Sequence, residues 1–487
     1  MKTDIVVGKY TLESLTNGMY SSAKDLFREY IQNAVDSIDN AVKQNIITDD
    51  EALIGITVNV GECSIRITDN GLGIPLDMAA KRLLDIGNSS KSRAQNRGFR
   101  GIGRLAGLGY CDRLVFSTSY IDEKKKTVIT FDAKELRRLL RSTNDKNESI
   151  VDVISAVVKV EHFSEKEKAH YFFVDLLGVD STVGLLDKAE LQQYFVQYLP
   201  LKFSPDFKWG DLISKKIQKI GYKIPSYKVM YSDGITTEYI YKSYTDTFVS
   251  DRVKKYEKAI KDVEVKPYYD SKNNLQAVLW YARTDYSGTI LDDLIKGIRM
   301  RQGNILIGDK TTSNQFFREE RFNGWLIGEL YVIDSCFVPN ARRDDFENTI
   351  EYIRLRENLL EWGTDISKEI RHISYERNVE ESKKKALVEQ DENNLIFEDV
   401  SFIGEDEEIT DEIDESSVVA SNELLDRFKI LLGQKAGNSK YMALNLRSDI
   451  PQEQKRILEK VFSTIENSFS EEESEKIIET IVSNYKQ

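Results

Sequence analysis

The stretch Asp25-Leu26-Phe27-Arg28-Glu29-Tyr30-Ile31-Gln32-Asn33-Ala34-Val35-Asp36 decides how the chain is read. At 3.6 residues per turn, Glu29, Asn33 and Asp36 share one helical face. Phe27, Ile31, Ala34, Val35 and Ile38 form an apolar stripe on the other side, so the helix can be anchored in a core while its polar stripe faces a cavity. Such a face can carry a general base and a magnesium ligand. In isolation it reads as the solvated side of an amphipathic helix; its weight comes from the motifs that follow.

Ile67-Thr68-Asp69-Asn70-Gly71-Leu72-Gly73-Ile74-Pro75 is a strand ending in an acid, with glycines two and four residues later. A carboxylate there can accept from an exocyclic amine, and the glycines let backbone turn closely around a flat ring. An ordinary strand-to-turn junction has the same look. Next comes Asn96-Arg97-Gly98-Phe99-Arg100-Gly101-Ile102-Gly103-Arg104-Leu105, a glycine-rich loop leading into an apolar helix, whose N–H groups can cradle phosphates. Before it, Gly87-Asn88-Ser89-Ser90-Lys91-Ser92 suits a flap over the same phosphates. A dinucleotide fold would need its glycines in the first strand-to-helix turn and an acid about 20 residues on, and a P-loop would end in Gly-Lys-Ser/Thr. Neither arrangement occurs here.

In this order and spacing the three motifs resemble the GHKL or Bergerat-fold ATPases, the group of DNA gyrase B, the ninety-kilodalton heat-shock chaperone, histidine kinases and MutL. The resemblance implies an α+β chain with a Bergerat-fold α/β sandwich that binds ATP and Mg2+. It implies Glu29 as the base that activates water, Asn33 as the magnesium ligand, and Asp36 on the same nucleotide-facing helix. Asp69 would bond the adenine amino group and Gly71 and Gly73 would shape the base pocket. Gly98, Gly101, Ile102 and Gly103 would wrap the triphosphate, with Asn88 and Lys91 in the lid. A base at Glu29, with no phosphoacceptor helix around His162, His170 or His372, favours ATP hydrolysis over phosphotransfer to histidine. The family's Gly-Thr pair at the strand completing the adenine pocket is missing from Ala169-His170-Tyr171-Phe172-Phe173-Val174-Asp175, so that wall is unassigned.

Further along, Gly297-Ile298-Arg299-Met300-Arg301-Gln302-Gly303-Asn304-Ile305-Leu306-Ile307 and Val338-Pro339-Asn340-Ala341-Arg342-Arg343-Asp344-Asp345-Phe346-Glu347 are similar to the chaperone's middle domain. By that resemblance Arg343 reaches the terminal phosphate, where a guanidinium stabilises developing charge. Arg342 and Arg343 read equally as surface partners of Asp344 and Asp345. Gyrase and MutL use a lysine from the equivalent domain, which keeps Lys310 in Gly308-Asp309-Lys310 as a competitor.

The chain has 487 residues, 40% hydrophobic and 31% charged, enough for about two to four domains. Its expected divisions are an ATP-binding domain over 1–185, a transducer or middle-like α/β domain over 186–350, an amphipathic helix over 351–390, an acidic flexible linker over 391–420 and a C-terminal helical domain over 421–487. Ile366, Ile370 and Ile373 set the helical period, and Ser470 to Glu473 fits a capping box opening the last helix. The net charge of −13 argues against general affinity for nucleic acid. No apolar run of about 18 residues is present, so the chain reads as cytoplasmic and without a membrane partner. Cys63, Cys111 and Cys336 have neither disulfide nor metal spacing and read as buried thiols.

The resemblance implies a chaperone-like clamp that closes on ATP, dimerises with its Lys2 to Ser21 segment exchanged, and holds a protein client. Relatives with this domain pair occur in bacterial stress and phage-defence operons. Two alternatives stay open: a DNA-associated clamp of the MORC or MutL type, and an interaction protein that uses ATP only as a conformational switch.

Overall fold

A computed structural model describes residues 22–85, 103–141, 149–251 and 255–399, together with Phe462, Ile465, Ser474 and Ile478. The chain forms two compact units, Met1–Glu389 and Gln390–Gln487.

In the first unit the decisive stretch is helical: α1 spans Asp25–Lys43, carries no glycine or proline, and has Asp25 in its first turn and Lys43 in its last, as the helix dipole favours. Strands β1 (Leu53–Asn59) and β2 (Ser64–Asp69), helix α2 (Leu76–Leu84), a 3-10 turn over Gly103–Gly109, strands β3 (Arg113–Ser119) and β4 (Lys125–Asp132), helices α3 (Ala133–Arg141) and α4 (Ile150–Val157), and strands β5 (Val158–Ser164) and β6 (Tyr171–Leu177) follow. The period of two in β2 puts Ile65, Ile67 and Asp69 on the buried face, so the strand's last residue is an acid inside the core layer.

Beyond them lie α5 (Lys188–Tyr198), α6 (Gly210–Lys219), β7 (Lys228–Ser232) and β8 (Thr237–Ile240). The first sheet has eight strands in the order β5-β4-β3-β6-β2-β1-β7-β8, so it runs past residue 185, where the first domain was expected to end. The reason is the parallel pairing of β1 with β7, Leu53 opposite Lys228 through Thr57 opposite Ser232. Strand periodicity does not announce a partner this distant in sequence. Leu26, Phe27, Ile31, Ala34, Val35 and Ile38 of α1 are buried in the core of this sheet, with Phe27 edge-on to Phe195 of α5 at 4.9 Å.

A second region contains the hairpin β9 (Thr247–Ser250) and β10 (Tyr256–Ala259), and a five-stranded sheet of β11 (Asp262–Tyr269), β12 (Leu275–Arg283), β13 (Gly297–Gln302), β14 (Ile305–Leu306) and β15 (Ile327–Val332) in the order β11-β12-β15-β13-β14. Strand β12, between β11 and β15, is buried on both faces: Ala277, Leu279 and Tyr281 belong to one core cluster, and Val278, Trp280 and Ala282 to another. The second cluster includes Ile213 and Ile217 of α6. The first includes Tyr352, Leu355, Leu359, Trp362, Ile366 and Ile370 of α7 (Ile350–Asp399).

Helix α7 runs past residue 390, and residues 391–399 of the expected acidic linker are helical. No glycine or proline lies between Gly363 and Gly404, and Glu, Gln and Leu are good helix formers, so acidity alone does not stop the helix. In the second unit, Phe462, Ile465, Ser474 and Ile478 are helical and buried, with the Ser474 hydroxyl donating to the Ile465 carbonyl at 3.2 Å. Among the described residues no helix is long and apolar enough to cross a membrane. All three cysteines are free thiols; Cys111 is buried, while Cys63 and Cys336 are only partly covered.

Candidate functional site

Helix α1 brings the site together because its polar face is the face that other elements approach. Glu29 and Asn33 are half-buried and Asp36 is buried. A Cβ on Gly103 would stand 2.1 Å from Oε2 of Glu29, so the last glycine of the glycine-rich loop lies against this carboxylate and a larger residue there would displace it. Tyr30 ties the exit of that loop to α1: its hydroxyl donates to the Arg104 carbonyl at 3.1 Å and accepts from Gly107 N–H at 2.9 Å.

The turn after β2 meets the other half of α1. Gly71 packs on Ser37, where an added Cβ would fall within 2.6 Å of the backbone, and Leu72 N–H bonds the Ser37 carbonyl at 3.4 Å. Gly73 has φ +68 and lies so close to the Ser119 carbonyl that a Cβ would be 1.9 Å away, so both conformation and space demand glycine. Asp69 is buried, and burial pushes its carboxyl up to about 7, opposed by hydrogen bonds from Gly71 N–H at 2.9 Å and from the Ser37 side chain. Across the turn, His170 Nδ1 is 2.8 Å from the Gly71 carbonyl, in the segment where the expected Gly-Thr pair is missing.

The third contribution comes from the loop before α7. Arg343 donates from Nη1 to Oε1 of Gln32, and its Nε stands 3.1 Å from Oε1 of Glu29. Its backbone is left-handed at φ +58, an uncommon state for a non-glycine residue, and Gly308 N–H holds its carbonyl at 2.8 Å. Within the loop, Asn340 Oδ1 accepts from Asp344 N–H at 3.2 Å and the Asn340 carbonyl accepts from Arg343 N–H at 3.2 Å. One turn before Gln32, buried Arg28 donates to the Arg342 carbonyl at 3.4 Å. The competitor Lys310 lies elsewhere: its Nζ pairs with Asp293 at 2.5 Å, and Lys296 and Lys310 together hold that carboxyl at about 2.

Glu29, Gly103, Gln32 and Arg343 therefore meet at one end of the site, and Asp69, Gly71, Gly73 and Ser37 at the other, with Asn33 and Asp36 on the helix between. Asn88, Lys91, Gly98, Gly101 and Ile102 lie outside the described residues. Gln32, Ser37, Tyr30 and His170 were absent from the sequence-derived set. Gln32 had a signal, since positions 29, 32, 33 and 36 follow the i, i+3, i+4, i+7 rule of one helical face. The other three act through contacts across the fold and had none.

Residues 20–162 match the family model described as histidine kinase-, DNA gyrase B-, and HSP90-like ATPase. This segment resembles the GHKL ATPases. The match covers α1, the Asp69 turn and the glycine-rich loop, and supports ATP binding by this segment. Strand β6 and the Arg343 loop lie beyond the match. No curated protein matches the chain.

Proposed function

We propose that the chain is a magnesium-dependent ATPase whose GHKL segment and Arg343 loop close together on the terminal phosphate of ATP. The contact between Arg343 and Glu29, 3.1 Å across two distant parts of the sequence, carries this reading. A guanidinium at the carboxylate of a hydrolytic base has an obvious destination when an anion arrives between them.

The residues fit the nucleotide and its metal. Asp69 is a buried carboxyl with room in its bonding for an exocyclic amine, and Gly71, Gly73 and Gly103 allow backbone to approach where a side chain would intrude. Asn33 would hold Mg2+ through its amide oxygen, the remaining ligands being phosphate oxygens and water. Bound there, the ion would neutralise charge on the phosphates.

In hydrolysis, Glu29 removes a proton from water as the water oxygen bonds to the terminal phosphorus, the bond to the bridging oxygen breaks, and its electron pair leaves with ADP. Glu29 cannot act as base while Arg343 occupies it. Transfer of the guanidinium to the terminal phosphate frees the carboxylate at the moment the substrate needs it, so hydrolysis is tied to closure of the loop. This makes the chain a clamp driven by ATP. With a net charge of −13, a protein client or a second copy of the chain is the partner class the reading favours over a polyanion.

The test is nucleotide binding and turnover in three variants. Glu29→Ala should bind ATP without hydrolysing it, Arg343→Ala should lose turnover, and Lys310→Ala should retain it. Turnover untouched in Arg343→Ala but abolished in Lys310→Ala would assign the phosphate contact to the lysine. Proteins retained by ATP-loaded Glu29→Ala, and lost with ADP, would identify the partner.

A further inference from the structure

Gln32 is 1% exposed and its two amide atoms have unequal surroundings. Oε1 accepts from Arg343 Nη1, while Nε2 is buried with no hydrogen-bond partner among the described residues. The orientation of the amide is fixed by chemistry: a guanidinium only donates, so the atom facing Arg343 must be the oxygen and the NH2 must face away from it. A buried NH2 without an acceptor is costly, and this one sits one turn from Glu29 and next to Asn33 on the same helix face. Neither of its N–H groups has an acceptor among the described residues. The acceptor that fits beside the Arg343 guanidinium is an anionic oxygen.

We infer that Gln32 is a sensor of the terminal phosphate, its Oε1 holding the Arg343 guanidinium and its Nε2 donating to a terminal phosphate oxygen. The inference rests on the proposed ATP site and adds to it a reason why the chain distinguishes ATP from ADP before any chemistry. Arg343 brings charge to the phosphate, and Gln32 fixes its direction through a bond that does not titrate. Because Arg343 also sits in a left-handed backbone state, the second hold from Gln32 keeps the guanidinium aimed when Glu29 lets go.

The decisive measurement is calorimetric affinity for ADP and for a non-hydrolysable ATP analogue, each with magnesium, in the full chain and in Gln32→Leu and Gln32→Glu. Leucine removes both bonds; glutamate keeps an acceptor for Arg343 but loses the donor. The expected result is ADP affinity unchanged to within about twofold and analogue affinity weakened by roughly tenfold or more in both variants. The ADP value also reports that each variant is folded. Equal loss for both nucleotides would overturn the inference, since Gln32 would then only shape the helix face. Wild-type analogue affinity in Gln32→Glu would overturn the donor role. If the unmodified chain bound neither nucleotide, the ATP reading itself would fall; if it bound both and the variants kept the ratio, only the sensor would fall.

Discussion

Two clusters of buried charge occupy the first compact unit, and they are built on opposite terms. Around Glu329, in the second sheet, the carboxylate accepts from Lys242 at 2.6 Å, from Trp280 Nε1 at 3.3 Å, from the Tyr331 hydroxyl and from Arg301 Nε. Arg301 Nη1 and Nη2 donate to the Asn304 and Gln197 carbonyls at 3.0 and 2.8 Å. Burial alone would raise the Glu329 carboxyl, but Arg301 and Lys242 hold it well below the usual range. Around Glu29, by contrast, the ion pair is joined by an amide and by Arg28, whose NH2 and Nε respectively have no partner among the described residues, and by an arginine in a left-handed backbone state. The Glu329 carboxylate itself is filled by four donors, although Tyr244 Oη and Asn304 Oδ1 beside it lack a partner among the described residues. A filled carboxylate fixes one arrangement, whereas the pair at Glu29 keeps bonding capacity for a ligand.

If that contrast is right, removing the two carboxylates has opposite signatures. Glu29→Ala should lower ATP turnover by about 10²- to 10⁴-fold, the usual worth of a general base. Its binding of nucleotide should persist, and its stability loss should be the smaller of the two. Steady-state phosphate release together with calorimetry checks this. Turnover near the parent rate would break the comparison at its functional end.

Glu329→Ala should do the reverse. It strands Arg301 and Lys242 in the core without a counter-charge, a defect that costs about 3–5 kcal/mol. Denaturant unfolding should show this loss, while the folded fraction keeps its turnover. A mild stability effect joined to lost activity would mean that the Arg301 bond to Gln197, at the end of α5, governs the site rather than the scaffold.

The two clusters also differ in how visible they were before the fold was known. Glu29, Asn33 and Asp69 stand in short motifs because their chemistry is met by helix spacing and by one strand-to-turn junction, both local. The first sheet's strands were legible for the same reason, through alternation. Glu329 and Lys242 gave no sign, since nothing local marks either until the fold brings Lys242, bridged to Phe203 beyond the end of β8, onto strand β15. The same limit hid the parallel pairing of β1 with β7 and the role of Gln32, whose partner arrives from the far end of the unit. The helix past residue 390 was hidden differently: acidity was read as disorder, although the absence of glycine and proline was in plain view.

Asp69, buried at the end of β2, supplies an effect of intermediate size. Its carboxyl is raised to about 7 in the fold against an ordinary value of 3.8, so between those values the folded chain holds a proton that the unfolded chain has released. Stability must then fall as pH rises from about 4 to 7, by up to about 1.4 kcal/mol per pH unit, and level off above. Asp69→Asn should remove that slope, giving a nucleotide-free chain more stable than the parent at pH 8 by on the order of 2–4 kcal/mol, with weaker binding of ATP. Unfolding curves at pH 5 and 8 decide it. A slope retained by the variant would show that another group carries it.

The smallest effect isolates the strain at Arg343. Arg343→Ala and Arg343→Gly both lose the guanidinium, so they lose the contacts to Glu29 and Gln32 equally, and turnover should fall alike in the two. They differ only in backbone: at φ +58 alanine pays the left-handed penalty and glycine does not. Glycine should therefore unfold later by about 1–2 kcal/mol, reduced somewhat by its greater freedom in the unfolded chain. Equal stability would mean that the loop relaxes once the side chain is gone, and that the guanidinium's own grip on α1 holds the backbone in its unusual state. A glycine variant more stable than alanine but no more active would instead place the strain in the loop itself, anchored by Gly308 and Asn340, and present before any nucleotide draws Arg343 away from Glu29.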